Sequence, residues 1–270
     1  ARRSGLLLGV YYGGVGWGIA ASALLVPVVL AQAPEPHTWV WAWWLLALLC
    51  AACTAALAWP ARVLRQLDAQ GAVATATTAD GAVPKHARVP LRALAPALAG
   101  YTLFGVGYIG YMTFVIALLK EQGLGTTGIT WFYTLLGLAV VASARVWAGL
   151  LERSKGGGAL ALLNALLGVA TVLPALTSAW PVVLASGLLF GGVFLSLVAS
   201  TTALVRHNLP PSQWAAGISA FTIVFAAGQI VGPTVVGAIA DAAGGLARGL
   251  VFSAVALWMG AVLAWRQKPL

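Results

Sequence analysis

Charge is what this sequence most conspicuously lacks. Only 8% of its 270 residues are charged, whereas 61% are hydrophobic and the mean hydropathy is +0.93. About a quarter of the residues in an ordinary soluble domain are charged, so the composition excludes that class of protein. The sequence therefore predicts an all-α integral membrane protein.

Residues that commonly carry chemistry are also scarce. The only two cysteines, Cys50 and Cys53, form a C-x-x-C in an apolar segment without a second ligand pair, so we expect packed small residues. The three histidines, His37, His86 and His207, lie in predicted loops without a ligand at motif spacing. We therefore predict no metal, no cofactor and no catalytic residue. A polytopic membrane enzyme remains an alternative, and it would need such a constellation at one membrane depth.

Apolar segments long enough to cross a bilayer are what the chain has in abundance. Each crossing needs about 20 predominantly apolar residues. We predict eight transmembrane helices, over residues 5–30, 39–59, 93–119, 128–151, 157–178, 181–205, 214–240 and 246–265.

The basic residues are distributed unevenly between the predicted loops. A net charge of +9 would suggest nucleic acid in a soluble chain. With the N-terminus in the cytosol, however, the only loop cations on the outer side are Lys120 and Arg248. Cytosolic loops of membrane proteins carry an excess of Lys and Arg, so the basicity indicates topology. We expect both termini of the chain in the cytosol and no nucleic-acid partner.

One connection is much longer than the others. Residues 62–92 are basic at both ends and rich in small and polar residues between them, which is typical of a flexible linker. Two predicted helices precede this segment and six follow it. We therefore divide the chain into residues 1–61, a central cytosolic linker over 62–92 and a six-helix bundle over 93–270.

Two short stretches give the sequence a specific resemblance. The loop after the fourth predicted helix reads GLLERSKG over residues 149–156, and the seventh helix contains GQIVGPTVVGAIAD over 228–241. The first resembles the acidic and basic loop motif of the major facilitator superfamily, which occurs in weaker form between helices 8 and 9. The second resembles the Gly-Pro pattern of helix 11. The sequences FGVGYIGYMTF and YYGGVGWGI are similar to those of the bacterial YbfB-like branch of this superfamily.

The resemblance implies a fold, a function and a location. The chain would correspond to helices 5 to 12 of a transporter built from two six-helix halves, truncated before helix 5. The implied function is secondary active transport of a small organic solute by alternating access across the bacterial inner membrane, and proton-coupled export is compatible with it. The expected partners are the lipid bilayer, a small-molecule substrate and protons. A non-transporting truncated remnant is a further alternative.

In the family's numbering, the implied substrate site lies on helices 7, 10 and 11. These are the third, sixth and seventh predicted helices of this chain. Gln229 is an amide in an apolar helix, and because an unpaired buried amide costs several kcal/mol, it should face other helices or a cavity. Thr222 lies seven residues earlier on the same face. The candidate substrate contacts are Phe104, Tyr108, Tyr111, Ser196, Thr222 and Gln229.

Conformational control is expected at the helix ends and at the small residues. Arg145 and Glu152 share a helix face near the cytosolic end of the fourth predicted helix, which is helix 8 in the family's numbering. This position predicts a structural or gating ion pair. Gly228, Gly232 and Pro233 predict close packing and a bend, with static packing and a rocking surface as alternatives. The candidate gating residues are Arg145, Gly149, Glu152, Arg153, Lys155, Gly232, Pro233 and Asp241.

Overall fold

The computed structural model describes residues 4–75, 89–241 and 245–270. These residues form helices and no strand, which confirms the predicted all-α class. The helices are α1 (Ser4–Gln32), α2 (Thr38–Thr75), α3 (Ala95–Glu121), α4 (Thr126–Arg153), α5 (Gly158–Leu176), α6 (Trp180–Asn208), α7 (Trp214–Asp241) and α8 (Gly245–Trp265). A short 3-10 helix, Pro211–Gln213, precedes α7.

Eight helices of the described chain are long and apolar enough to cross a membrane. Their ends lie within a few residues of the predicted ones, except that α2 continues to Thr75. The extension reaches into the segment 62–92 that we predicted as a linker, of which residues 76–88 lie outside the described residues. The division of the chain into a linker and two flanking bundles stays a prediction.

The chain separates into two compact units, residues 24–85 and residues 1–23 with 86–270. In the unit of residues 24–85, large side chains of α2 are exposed, among them Trp39, Trp43 and Trp59. Such tryptophans at both ends of an apolar helix are typical of the two interfaces of a bilayer. Cys50 and Cys53 are exposed and free. The prediction that they are packed small residues is wrong, because both cysteines and most side chains around them are exposed.

In the larger unit α3 occupies the centre and packs against α5, α7 and α8, while α6 packs against both α4 and α5. The buried face of α3 carries three tyrosines and many small residues. The small residues matter because lipid offers little hydrophobic drive for one helix to bury itself against another, so close backbone approach supplies much of the packing.

Helix α1 contacts α4 in the same way near its middle. A Cβ at Gly16 would lie 2.5 Å from the Gly137 carbonyl oxygen, and a Cβ at Gly137 would lie 2.7 Å from the Gly16 carbonyl oxygen. Neither position has room for a side chain. The two helices therefore touch backbone to backbone at this point.

Candidate functional site

The glycines of the segment 228–241 lie against the backbone of α3. A Cβ at Gly228 would overlap the Thr102 carbonyl oxygen, and one at Gly232 would lie 2.7 Å from the Val106 carbonyl oxygen. On the other side of the contact, a Cβ at Gly105 would lie 2.7 Å from the Phe225 carbonyl oxygen. These glycines let α3 and α7 approach closely, which is the packing that small residues permit in membranes. A rocking movement at the same surface stays a prediction.

One side-chain hydrogen bond crosses this glycine contact. The amide Nε2 of Gln229 on α7 donates to the hydroxyl oxygen of Tyr108 on α3. Tyr108 is buried, while Gln229 is only partly buried. The amide thus has a protein partner, as the cost of burying it requires.

Tyr108 is also part of an aromatic cluster, which we define as Tyr101, Phe104, Tyr108, Phe194 and Phe225. The Tyr108 ring stacks on Phe104, Phe194 and Phe225 with centroid distances of 5.0, 5.1 and 5.4 Å. Phe104 is fully buried, whereas Phe225 is partly buried. The cluster therefore joins α3, α6 and α7, and both Phe225 and Gln229 on α7 are partly buried.

Tyr111 lies deeper in the bundle. Its ring stacks on Phe190 at 4.0 Å, and its hydroxyl lies 2.8 Å from the hydroxyl of Ser186. Ser186 in turn donates to the Ala170 carbonyl oxygen at 2.7 Å. Because Tyr111 is fully buried, this chain of hydrogen bonds ties α3, α6 and α5 together.

Two other predicted contacts lie apart from the aromatic cluster. Thr222 is exposed, and its hydroxyl donates to the Ile218 carbonyl oxygen of its own helix. Ser196 is 2% exposed, and its hydroxyl has no hydrogen-bond partner among the described residues. It follows Phe194 by two positions, which is about 200° around the helix, so the two side chains leave α6 on opposite faces. The structure thus brings together Phe104, Tyr108 and Gln229 but not all six candidates.

The sequence reasoning missed the aromatic residues of α6. It named a serine on that helix, whereas Phe194 and Phe190 make the ring contacts with α3. Their spacing of four residues places both on one helix face, and this signal was available in the sequence.

The α4–α5 loop is held by its backbone. The Gly157 amide donates to the Gln267 carbonyl oxygen at 2.9 Å, and Asn208 Nδ2 donates to the Lys155 carbonyl oxygen at 2.7 Å. A Cβ at Gly156 would lie 2.8 Å from the Gln267 carbonyl oxygen. The loop is therefore fixed to the C-terminal ends of α6 and α8.

Among the described residues, the charged side chains near this loop are not paired with one another. Arg145, Glu152, Arg153 and Lys155 are exposed, and no ion pair joins Arg145 to Glu152 in the part of the chain that the structure describes. Gly149 has open space where a Cβ would lie. Asp241 is exposed at the end of α7, and Pro233 lies inside that helix. Their gating roles stay predictions.

A family model described as the uncharacterised MFS-type transporter YbfB matches residues 1–265. The chain belongs to this family. Membership in the YbfB family confirms the predicted resemblance and, with the eight apolar helices, the multi-pass membrane fold. It supports a transporter role and points away from an enzyme. No curated protein and no solved structure matches the chain.

Proposed function

We propose that this YbfB-family chain is a secondary active transporter that moves a small organic solute by alternating access. The observation that carries the proposal is the hydrogen bond between Gln229 and Tyr108. It places a partly accessible polar pair beside a stack of rings, midway along two membrane-spanning helices. Ligand sites commonly combine such an apolar wall with a few polar groups that fix orientation.

The proposed topology follows from charge. The bacterial inner membrane with both termini of the chain in the cytosol agrees with the excess of Lys and Arg in the predicted cytosolic segments. Residues 1–61 would then supply the last two helices of one bundle, and residues 93–270 the six helices of the other. This arrangement is part of the proposal.

Export and proton coupling are compatible with this function. The six acidic residues of the chain all lie outside the middle of the membrane-spanning segments. Because a proton carrier in the membrane would be a carboxylate near mid-depth, these segments do not supply one. Proton coupling would therefore depend on groups at the helix ends or outside the described chain.

We further propose a division of labour between the two regions. The pair Tyr108 and Gln229 would bind the solute, with Phe104 and Tyr111 shaping the wall behind it. The exposed charges Glu152, Arg153 and Lys155, near Arg145 on the same helix end, would control the inward and outward balance. Charges at a membrane surface can pair and separate at little cost, whereas a buried polar pair cannot.

Uptake into vesicles reconstituted with the full-length protein tests this proposal. Vesicles would be incubated with a cytosolic small-molecule extract, and the solutes that accumulate would be identified by mass spectrometry. We expect Gln229→Leu to raise the half-saturating concentration about two- to ten-fold, the loss of one hydrogen bond. We expect Arg153→Ala to change the maximal rate and leave that concentration nearly unaltered. Accumulation no greater than in empty vesicles, or the reverse pattern in the two variants, would contradict it.

A further inference from the structure

We propose that the pair Tyr108 and Gln229 recognises an uncharged planar molecule that presents a hydrogen-bond donor beside an acceptor. Amides, lactams and aromatic N-heterocycles have such an edge. This inference rests on the proposed function and adds a substrate class to it. Three properties of the site carry it: the hydrogen-bonding capacity left on the pair, the absence of nearby charge and the orientation of the rings.

The hydrogen-bonding capacity follows from the contact between the two side chains. A tyrosine hydroxyl donates one hydrogen bond and accepts others, and a glutamine amide has two donor hydrogens and an acceptor oxygen. With Gln229 Nε2 donating to Tyr108, the hydroxyl hydrogen of Tyr108, the second Nε2 hydrogen and Oε1 of Gln229 are left. If the amide is rotated by half a turn, the hydroxyl oxygen and the Nε2 hydrogens are left. In both orientations the pair offers at least one donor beside at least one acceptor.

No other group of the described residues uses this capacity. Within the described residues, the bond between Tyr108 and Gln229 is the only hydrogen bond that either side chain makes. Gln229 is only partly buried, and in the proposed complex the ligand contacts its free end. A ligand with the complementary donor and acceptor would make two hydrogen bonds at once.

Among the described residues of the three helices that form the site, no charged residue lies close to the pair along the helix. The charged residue nearest to Tyr108 along α3 is Lys120. The nearest to Gln229 along α7 is Asp241, and the nearest to Phe194 along α6 is Arg206. Each lies twelve residues from Tyr108, Gln229 or Phe194, which is about 18 Å along a helix. A charged group at the pair would lose its hydration without gaining a counter-charge, which is unfavourable. The site therefore favours an uncharged ligand.

The rings define the shape of the ligand. Phe225 is nearly parallel to Phe104 and to Tyr108, with interplanar angles of 14° and 21°. Tyr108 and Phe194 differ by 16°. A flat molecule that enters beside the partly buried Phe225 can stack on its ring while its edge meets Gln229. A bulky saturated molecule would lack that contact.

Binding of three matched probes to the full chain in lipid nanodiscs tests the inference. Benzamide carries a donor and an acceptor, benzoate carries a negative charge, and toluene carries neither. Saturation-transfer NMR would give each dissociation constant up to about 10 mM, the range of weak fragment binding. We expect benzamide to bind at least about five-fold more tightly than the other two. We expect Tyr108→Phe and Gln229→Leu to remove that preference, while Thr234→Val, a matched polar-to-apolar change on α7, keeps it.

Each result has a definite meaning. Equal binding of benzamide and toluene, or a benzamide preference that survives both substitutions, overturns the inference. Tighter binding of benzoate that is lost in Arg145→Gln also overturns it, since it would mean recognition of an anion at α4. Thermal unfolding of each variant shows whether the protein is folded. Failure of vesicle uptake with a retained benzamide preference would contradict the proposed transport and leave the recognition class supported.

Discussion

Glycine is the residue whose meaning in this chain depends most on its position. A Cβ at Gly157 would overlap the Ala264 carbonyl oxygen, whereas a Cβ at the adjacent Gly158 would lie 3.6 Å from the Ser154 hydroxyl. The first position is closed by the end of α8, and the second has ordinary van der Waals space. The sequence GGG over residues 156–158 does not distinguish them.

This difference gives a residue-scale prediction. We expect Gly157→Ala to lower the free energy of unfolding by about 1–3 kcal/mol, because the added methyl group must displace backbone. Gly158→Ala is the matched control, and it should be neutral or slightly stabilising because alanine restricts the unfolded chain. Thermal unfolding of the purified variants in one detergent compares them. Equal midpoints would mean that the contact between Gly157 and α8 is absent in the protein.

At the scale of elements, the pairing of α3 with α7 is the feature on which the site depends. The glycines Gly105, Gly228 and Gly232 bring the two backbones together, and Tyr108 and Gln229 then meet across the contact. Packing and recognition are therefore linked: a change that separates the helices also separates the polar pair. A substitution that removes only the hydrogen bond between Tyr108 and Gln229 would leave the two helices in contact.

That linkage predicts a contrast along α7. We expect Gly228→Ala to weaken benzamide binding at least about five-fold and to lower the unfolding midpoint, because a Cβ there would overlap Thr102 on α3. Gly237→Ala is the control, since the one contact of a Cβ there is Phe114 at 3.8 Å. Binding and unfolding measured on the same preparations separate the two effects. A Gly228→Ala protein indistinguishable from the Gly237→Ala protein would refute the linkage.

Topology supplies a second prediction at this scale. In a background without Cys50 and Cys53, Gly81→Cys in the predicted linker should react with an impermeant thiol reagent only from the cytosolic side. Gly123→Cys, in the turn after α3, should react only from the outside. The reason is the excess of basic residues in the predicted cytosolic segments. Labelling of Gly81→Cys in intact cells would reverse the orientation.

The sequence predicted the helices well and the site less well, for physical reasons. Runs of about 20 apolar residues have few folds open to them in a bilayer, so eight helices and most of their ends followed from hydropathy. Gln229 was predicted because a buried amide needs a partner, and Tyr108 because helical spacing puts it on one face with Phe104 and Tyr111. The rotation of α6 about its own axis, which decides which side chains face α3, was not predictable. Ser196 was therefore predicted on α6 instead of Phe194. Contacts such as Gln267 with Gly157 depend on tertiary packing and have no local signal.

At the scale of the whole molecule, the polar pair Tyr108 and Gln229 lies midway along two apolar helices and the charged α4–α5 loop lies at helix ends. Alternating access requires that the pair be reached from each side of the membrane in turn, and that the loop shift the balance between the two states. In the part of the chain that the structure describes, Glu152, Arg153 and Lys155 are exposed and make no ion pair, and we propose that they have this role. A protein with a single fixed opening would instead expose the pair to one side only.

The most direct test of this claim is the reactivity of Gln229→Cys, without Cys50 and Cys53, toward an impermeant thiol reagent in right-side-out and inside-out vesicles. Gly81→Cys and Gly123→Cys verify the vesicle orientation. We predict that Gln229→Cys reacts in both preparations, and that adding Arg153→Ala changes the two rates in opposite directions. Reaction from one side alone, with or without the second substitution, would contradict alternating access at this site.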